Sequence, residues 1–199
     1  DGRVYVADRG VGGVHVLAPS GGFAAPFGVT GGYPAQLGAV GAVALGPVPG
    51  EPAGERVYVL DPATRRLVLY SQDGIWLDAW EEIDGAGVAA SSDGRVYVLD
   101  SSTSQVAVLD AATGARRFAF GGRGTDDGLF TQFTDISVSA DGRVAAVGDK
   151  RGLRVQLFDL ATDEELGSAS PPETARLRKS YDLLAARFNK GDDRCSGER

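Results

Sequence analysis

Four aspartates are the residues whose type and spacing first suggest chemistry. Asp8, Asp61, Asp100 and Asp149 each close one copy of a recurring phrase, which reads Arg-Val-Tyr-Val-Leu-Asp in the second and third copies. A carboxylate at such a point can cap the following loop by accepting backbone N–H bonds. A ring of carboxylates could instead hold a divalent cation. We expect the capping role, because alanine, valine, glycine and serine dominate the segments before the phrases.

Few other residues could take part in catalysis or metal binding. His15 is the single histidine, so no histidine pair or triad can form, and we expect an ordinary strand side chain. Asp126 and Asp127 lie in a glycine-rich loop, but the every-second-residue ligand spacing of a calcium loop is missing. Cys195 is the single cysteine, which rules out an intrachain disulfide and a structural zinc site. We therefore predict no catalytic residue, no metal and no cofactor.

These residues belong to a repeating pattern of short strands. The phrase forms a second strand in each of four repeats, at Arg3–Asp8, Arg56–Asp61, Arg95–Asp100 and Arg143–Asp149. Third strands with alternating apolar residues are predicted at Val14–Ala18, Leu67–Ser71, Val106–Asp110 and Val155–Asp159. Fourth strands are predicted at Phe23–Gly28, Ile75–Trp80, Arg116–Gly121 and Glu165–Ala169. First strands, rich in small residues, are predicted at Gly41–Pro47, Gly87–Ser92 and Asp135–Ala140.

The pattern predicts an all-β architecture. A repeat of about 40–50 residues with several short strands is typical of a β-propeller, whose blades are four-stranded antiparallel sheets. We expect four such blades over residues 1–170. The first strand of the first blade is missing, so either residues absent from this sequence close the ring or the blades belong to a larger propeller. An open array leaves sheet edges exposed, and these invite pairing with another chain.

One stretch closely resembles the NHL repeat. It runs through Phe120–Phe130, Asp135–Val138 and Asp141–Val144, and it contains Phe-Gly, a glycine-rich loop, Gly-x-Phe, an apolar first strand and Asp-Gly. Phe27-Gly28, followed by Tyr33–Leu45, is a looser copy. The resemblance implies a six-bladed ring, of which about a third would lie outside this sequence. The family includes protein-binding scaffolds, some RNA binders and a few enzymes.

The chain departs from the family pattern after the second strand. The usual asparagine of that loop is replaced in every repeat, and the arginine before the third strand remains only as Arg66 and Arg154. The pattern therefore also resembles the broader six-bladed propeller class of bacterial exported proteins. From this resemblance we expect an extracytoplasmic location, periplasmic or at the cell surface, with membrane association through a segment that this sequence does not contain.

Loops on one side of the predicted propeller carry a basic bias. The turns between second and third strands, and the connections between blades, emerge on the same side; this basic loop face carries Arg9, Arg65, Arg66, Arg123, Lys150 and Arg151. Acidic residues also occur there, at Glu81, Glu82, Asp84, Asp126 and Asp127. The face could bind an acidic partner or an anionic polymer by Coulomb attraction, or could consist of ordinary solvated loops. The formal net charge of −7 disfavours general nucleic-acid binding.

Two apolar features could dock a partner. Residues 171–199 predict an amphipathic helix starting near Glu173 after two prolines, followed by a flexible end. Its apolar stripe consists of Leu177, Tyr181, Leu184 and Phe188, which could pack on a blade, dock into a partner protein or lie on an anionic membrane. Trp76 and Trp80 alternate with smaller residues on an outermost strand, and an outward Trp76 would be an interface anchor. We expect burial between blades instead.

These observations favour a non-enzymatic scaffold. We predict a propeller module that binds a protein partner through its loop face, an open sheet edge or the C-terminal helix, as a subunit of a larger bacterial assembly. One alternative is a metal-dependent hydrolase of the lactonase type with its site in the channel. Another is a carbohydrate or RNA binder that uses the basic loop face.

Overall fold

The chain folds into a stack of antiparallel sheets. The computed structural model describes residues 2–10, 12–51, 55–162 and 175–182. Within these ranges the chain forms fourteen β-strands in four sheets, and no helix. The sheets are arranged as propeller blades, and the innermost strands of the second, third and fourth blades contact one another in order. The predicted all-β propeller of four-stranded blades is therefore confirmed.

Strand bounds follow the repeat closely. Blade 1 contains β1 (Val4–Asp8) and β2 (Gly13–Leu17). Blade 2 contains β3 (Val43–Pro47), β4 (Glu55–Asp61), β5 (Arg66–Ser71) and β6 (Trp76–Trp80). Blade 3 contains β7 (Gly85–Ser91), β8 (Arg95–Asp100), β9 (Gln105–Asp110) and β10 (Arg116–Gly121). Blade 4 contains β11 (Phe133–Val138), β12 (Val144–Asp149), β13 (Arg154–Leu160) and β14 (Ala175–Asp182).

Blade 1 is the least regular sheet. The predicted fourth strand over Phe23–Gly28 forms only isolated bridges, between Leu17 and Phe23 and between Val14 and Phe27. Pro26 lies between the backbone hydrogen bonds that Ala24 makes to Val16 and Phe27 makes to Val14, and it has no N–H of its own to donate.

The core lies between the blades. On β4, Val57 and Val59 pack toward blade 1, whereas Tyr58 and Leu60 pack toward blade 3. In blades 2 and 3 the second and third strands are therefore buried on both faces, and this burial accounts for their nearly continuous apolar sequence. A third cluster joins blades 3 and 4 in the same way.

The tyrosine of the phrase links each blade to the next. Its hydroxyl donates to a backbone carbonyl in a turn or connecting segment of the following blade. The pairs are Tyr5 with Gln72 (3.0 Å), Tyr58 with Ala111 (3.5 Å) and Tyr97 with Gly142 (3.3 Å). Because the ring is buried and the hydroxyl reaches a partner, the same residue type suits every blade-to-blade contact.

The arginine of the phrase makes a parallel contact. Its guanidinium donates to a carbonyl of the next blade, from Arg3 to Gln72 (3.1 Å), from Arg56 to Ala111 (3.1 Å) and from Arg95 to Ala161 (2.7 Å). We call these Arg and Tyr contacts together the interblade clamp. Acidic residues support it, because Asp73 pairs with Arg3 and Glu51 pairs with Arg56.

The second strand of blade 4 lacks the tyrosine that, in the other blades, donates to the blade that follows. Ala146 pairs with Leu157 and Gly148 pairs with Val155, as Tyr58 and Leu60 of β4 pair with third-strand residues in blade 2. Alanine and glycine therefore stand where blade 2 has tyrosine and leucine. The face of blade 4 that points away from blade 3 is correspondingly hollow.

The predicted C-terminal helix is wrong for residues 175–182, which form strand β14. This strand pairs with β13, with Leu177 opposite Phe158 and Tyr181 opposite Val155. Leu177 and Tyr181 pair with residues three positions apart on β13, so the bulge at Arg178 places them on opposite faces of the sheet. The open edge of β13 and the core around Phe158 favour the strand. Leu184, Phe188 and the predicted strand Glu165–Ala169 lie outside the described residues.

Candidate functional site

Asp61 fastens the loop that enters blade 2. Its carboxylate accepts the backbone N–H groups of Gly38 (2.8 Å) and Ala39 (3.0 Å), which belong to the connection from blade 1. It also accepts the N–H and hydroxyl of Thr64 in its own turn, at 3.3 and 2.5 Å. Arg66 completes the set at 3.3 Å. One fully buried carboxylate therefore holds two segments of the loop face together.

Asp149 repeats this arrangement in blade 4. It accepts the N–H (3.1 Å) and hydroxyl (2.6 Å) of Thr131 and the N–H of Gln132 (2.9 Å), all from the connection that enters the blade. The N–H of Gly152 lies at 3.2 Å, and Arg154 takes the position of Arg66, 3.6 Å away. Arg66 and Arg154, which each precede a third strand, thus lie beside the two aspartates that anchor a connecting loop.

The other two aspartates cap their own turns. Asp100 accepts the N–H (2.9 Å) and hydroxyl (2.6 Å) of Ser102 and the N–H of Thr103 (3.2 Å). Asp8 accepts the N–H of Gly10 at 2.7 Å, and His15 lies 3.8 Å from it. The predicted capping role of the phrase aspartates is therefore confirmed.

The titration of these carboxylates agrees with that role. Burial alone would raise the pKa of Asp61, but hydrogen bonds from Thr64, Gly38 and Ala39 outweigh it and hold the pKa below its usual range. Asp149 and Asp100 show the same balance, with burial opposed by stronger hydrogen bonding, so that the pKa is lowered. All three remain ionised at neutral pH with their oxygens occupied by protein donors.

The anchored loops border a groove that crosses three blades. This loop-face groove has a volume of about 490 Å³. Its lining consists of Arg9, Gly12 and Thr30, residues 38–41 with Pro62, and Gly85, Ala86 and Ser101. Most of these residues are small, so the groove offers mainly shape, main-chain atoms and hydroxyl groups. Arg9 adds a positive charge, and its guanidinium donates to the carbonyl of Gly41 at 3.1 Å.

Close packing dictates the glycines of the groove. A Cβ atom on Gly38 would lie 2.8 Å from the Thr64 side chain, and one on Gly85 would lie 2.8 Å from Leu60 and Val98. Larger residues at these positions would push the loops off the blades beneath them. This groove cannot be predicted from the sequence alone, because its lining comes from segments far apart in the chain. The glycines just before each first strand were the available signal.

The six predicted basic residues occupy different environments. Arg66 is held by Asp61 and by the carbonyl of Gln36 (3.1 Å), so its role is structural. Arg9 lies on the groove. The other four, Arg65, Arg123, Lys150 and Arg151, are exposed. Arg65 adopts a positive φ of 55°, and its carbonyl accepts the N–H of Ile83 from the next connection.

The pair of aspartates in the second glycine-rich loop faces a guanidinium. Arg154 lies 3.2 Å from the Asp127 carboxylate and donates to the carbonyls of Asp126 (2.8 Å) and Leu129 (2.9 Å). This arginine therefore braces the loop from below. In the part of the chain that the structure describes, no three His, Cys, Asp or Glu side chains are placed to share a metal ion.

A second concavity lies on the outer face of blade 4. It has a volume of about 480 Å³ and a largely apolar lining that includes Ser137, Ala146, Gly148, Leu153 and Val155. It results from Ala146 and Gly148 on β12, which stand where β4 has Tyr58 and Leu60. Lys150 and Arg154 lie at its border.

The two tryptophans differ in exposure. Trp80 is buried, with 9% of its surface exposed, and packs against Tyr58 with ring centroids 5.9 Å apart. Trp76 is 40% exposed, so the expected burial of this residue between blades is not observed. Among the described residues there is no helix that could span a bilayer.

Comparison with solved structures identifies the fold. Hydrazine synthase of Kuenenia stuttgartiensis matches with a TM-score of 0.58 and 14% identity, over 90% of this chain and 45% of that chain. Hsv2 of Kluyveromyces marxianus matches with a TM-score of 0.58 and 10% identity, over 92% and 59%. The dihydro-heme d1 dehydrogenase NirN matches with a TM-score of 0.54 and 15% identity, over 92% and 35%.

These relatives are β-propeller proteins, and at such low identity the similarity shows the fold alone. The chain spans less than two thirds of the length of each of them. No protein-family model and no curated protein sequence matches the chain.

Proposed function

We propose that this chain is a non-catalytic β-propeller module that binds a protein partner in the loop-face groove. The carrying observation is the groove itself, which crosses three blades on loops that Asp61 holds in place. Main-chain atoms and small side chains suit an extended peptide segment, since a peptide can match them with its own backbone groups. Arg9 would favour an acidic residue in that segment.

The anchoring geometry also supports NHL-type repeats. Two glycine-rich connections, after Phe27-Gly28 and Phe120-Gly121, form equivalent parallel bridges between Thr30 and Leu37 and between Arg123 and Phe130. Each is tied to an aspartate and an arginine of the blade it enters. We extend the proposal to a larger bacterial assembly outside the cytoplasm, on the resemblance to exported propellers, and fractionation of the native cell tests that location.

The test is to block the groove without disturbing the fold. Ala86 is an exposed groove residue, so Ala86→Trp fills the groove, while Ala112→Trp places the same side chain on an exposed turn of blade 3 outside it. A phage-displayed peptide library is selected against the immobilised wild-type chain, and enriched peptides are measured by calorimetry. We expect Ala86→Trp to weaken the selected peptides by about tenfold or more and Ala112→Trp to leave them unchanged. Peptides that bind both variants equally would refute the groove as the site.

A further inference from the structure

The outer rim of the propeller consists of strands with one free edge. In the described part of the chain, β6, β10 and β14 are the last strands of their sheets. A strand at a sheet edge presents backbone N–H and C=O groups that can pair with another chain. Proteins usually guard such edges with charged side chains and bulges.

The three rim strands carry a bulge at the same place. In blade 2, Tyr70 is opposite Trp76 and Leu69 is opposite Asp78, which leaves Leu77 as the extra residue. The equivalent extra residue is Arg117 in blade 3, by the register of β10 with β9. In blade 4 it is Arg178, by the register of β14 with β13.

In blades 3 and 4 the bulged arginine guards the edge. Arg117 pairs with Asp110 at the end of the third strand, with Nη2 and Oδ2 2.5 Å apart. Arg178 pairs with Asp159 at the equivalent position. The Arg117 guanidinium, acting against a smaller effect of burial, lowers the pKa of Asp110 to about 2. Each rim therefore presents a fixed ion pair, which would cost desolvation energy if a strand were added there.

Blade 2 has replaced both members of this pair. Leu77 stands at the arginine position and Ser71 at the aspartate position. Ser71 instead holds its own turn, because its hydroxyl accepts the N–H groups of Asp73 (3.3 Å) and Ile75 (3.1 Å). Three consecutive apolar side chains are left at the surface, with exposed fractions of 65% for Ile75, 40% for Trp76 and 43% for Leu77.

The charge around this edge is acidic. Asp78 follows the exposed residues, and its carboxylate accepts the N–H of Ala79 at 2.8 Å. Because that N–H is occupied, an added strand can pair only with the part of β6 that precedes Ala79. Glu81 and Glu82 are exposed just beyond the strand. A second copy of this edge would bring like charges together, so the surface is matched to a basic segment instead.

We propose that the rim edge Ile75–Asp78 binds an extended segment of a partner protein as an added strand. That segment would alternate large apolar residues with lysine or arginine, so that its apolar side chains cover Trp76 and Leu77 and its cations face Asp78 and Glu81. This surface is separate from the loop-face groove. The rim would fix the module to a partner while the groove remains open.

Trp76 provides the readout. The probe is a synthetic peptide of alternating valine and lysine, with a valine–glutamate peptide as the charge-reversed control. Because Trp80 is buried, addition of the valine–lysine peptide to the full chain should shift the fluorescence of Trp76 to shorter wavelength. Trp76→Phe should abolish that shift.

A variant that introduces the Arg–Asp ion pair of blades 3 and 4 into blade 2 tests whether the absence of this pair allows a strand to bind. The pair Ser71→Asp and Leu77→Arg copies blades 3 and 4, and Ala115→Arg adds an arginine to the exposed rim of blade 3 as the control. We expect the guarded variant to bind the valine–lysine peptide more weakly by on the order of tenfold, and Ala115→Arg to bind it normally. Ile75→Lys, at the most exposed residue, supplies a second test if the double variant is unstable.

Three results would overturn the proposal. The first is the absence of any shift with the valine–lysine peptide, and the second is equal binding of the valine–glutamate peptide. The third is concentration-dependent dimerisation that Leu77→Arg abolishes, because it would identify a second copy as the occupant. The effect of Ala86→Trp on the selected groove peptides tests only the groove, and the valine–lysine peptide tests only the rim. Either proposal can therefore be refuted without the other.

Discussion

At the scale of single residues, Asp61 and Asp100 occupy the same position in successive blades but hold different amounts of structure. The Asp61 carboxylate is fully buried and connects two loop segments, whereas Asp100 caps only its own turn. Replacement by asparagine removes the charge and turns one acceptor oxygen into an NH₂ donor. At position 61 this donor would face backbone N–H groups that can no longer be satisfied. The cost should therefore scale with the number of donors that lose an acceptor.

We expect Asp61→Asn to lower the free energy of unfolding by about 3 kcal/mol and Asp100→Asn by about 1 kcal/mol. Urea denaturation followed by circular dichroism measures both. The pH dependence supplies a second check. Because folding lowers the pKa of Asp61, its contribution is complete above the unfolded pKa and is lost as pH falls through the folded pKa. The difference between wild type and Asp61→Asn should therefore shrink in acid; a difference independent of pH would contradict the ionised anchor.

At the scale of elements, the interblade clamp explains why one phrase recurs. Arg95 is almost fully buried, donates to Ala161 of blade 4 and lies 3.3 Å from Asp93. Tyr97 donates to Gly142 of the same blade. Both residues therefore contact the next blade as well as lying in their own strand. A strand that is buried on one face only would not need side chains of this kind.

Substitutions in the clamp should separate its two parts. Arg95→Ala leaves the Ala161 carbonyl and Asp93 without this partner, and we expect a loss of about 3 kcal/mol in the free energy of unfolding. Tyr97→Phe removes one hydroxyl and should cost about 1 kcal/mol. Arg143→Ala, at an exposed arginine of blade 4, is the matched control and should change stability by less than about 0.5 kcal/mol. Equal effects of Arg95→Ala and Arg143→Ala would show that the clamp is not what joins the blades.

Elements also differ in how well the sequence predicts them. Strands such as β8 are predicted correctly because burial on both faces gives a short apolar run, and its length and its valine and tyrosine content favour a strand over a helix. Strand β14 is missed because Leu177 and Tyr181 have the spacing of a helix face, whereas pairing with β13 makes this segment a strand with a bulge at Arg178. The capping aspartates are predictable because their contacts begin within the adjacent turn. The groove is not, because three blades contribute its lining.

At the scale of the whole molecule, contacts between blades join neighbours in order. Strand β1 contacts β3, strands β3 and β4 contact β7, and strands β7 and β8 contact β11. An assembly of this kind approximates a linear array, in which local stability depends on each unit and its interfaces. Damage at one interface should therefore loosen the blade beyond it more than the blades at the far end.

Hydrogen exchange measured by mass spectrometry tests this expectation. Arg95→Ala weakens the interface between blades 3 and 4, so amides of β12 and β13 should exchange faster by about tenfold or more, while those of β4 and β5 keep wild-type rates. Arg3→Ala removes the contact from blade 1 to Gln72 and should have the opposite pattern. Amides of β1 and β2 should exchange faster, and those of blade 4 should keep wild-type rates. If either variant accelerates all four blades equally, the chain unfolds as one cooperative unit. Independent loosening would instead mean that a partner bound at the rim of blade 2 can hold that blade while the outer blades adjust.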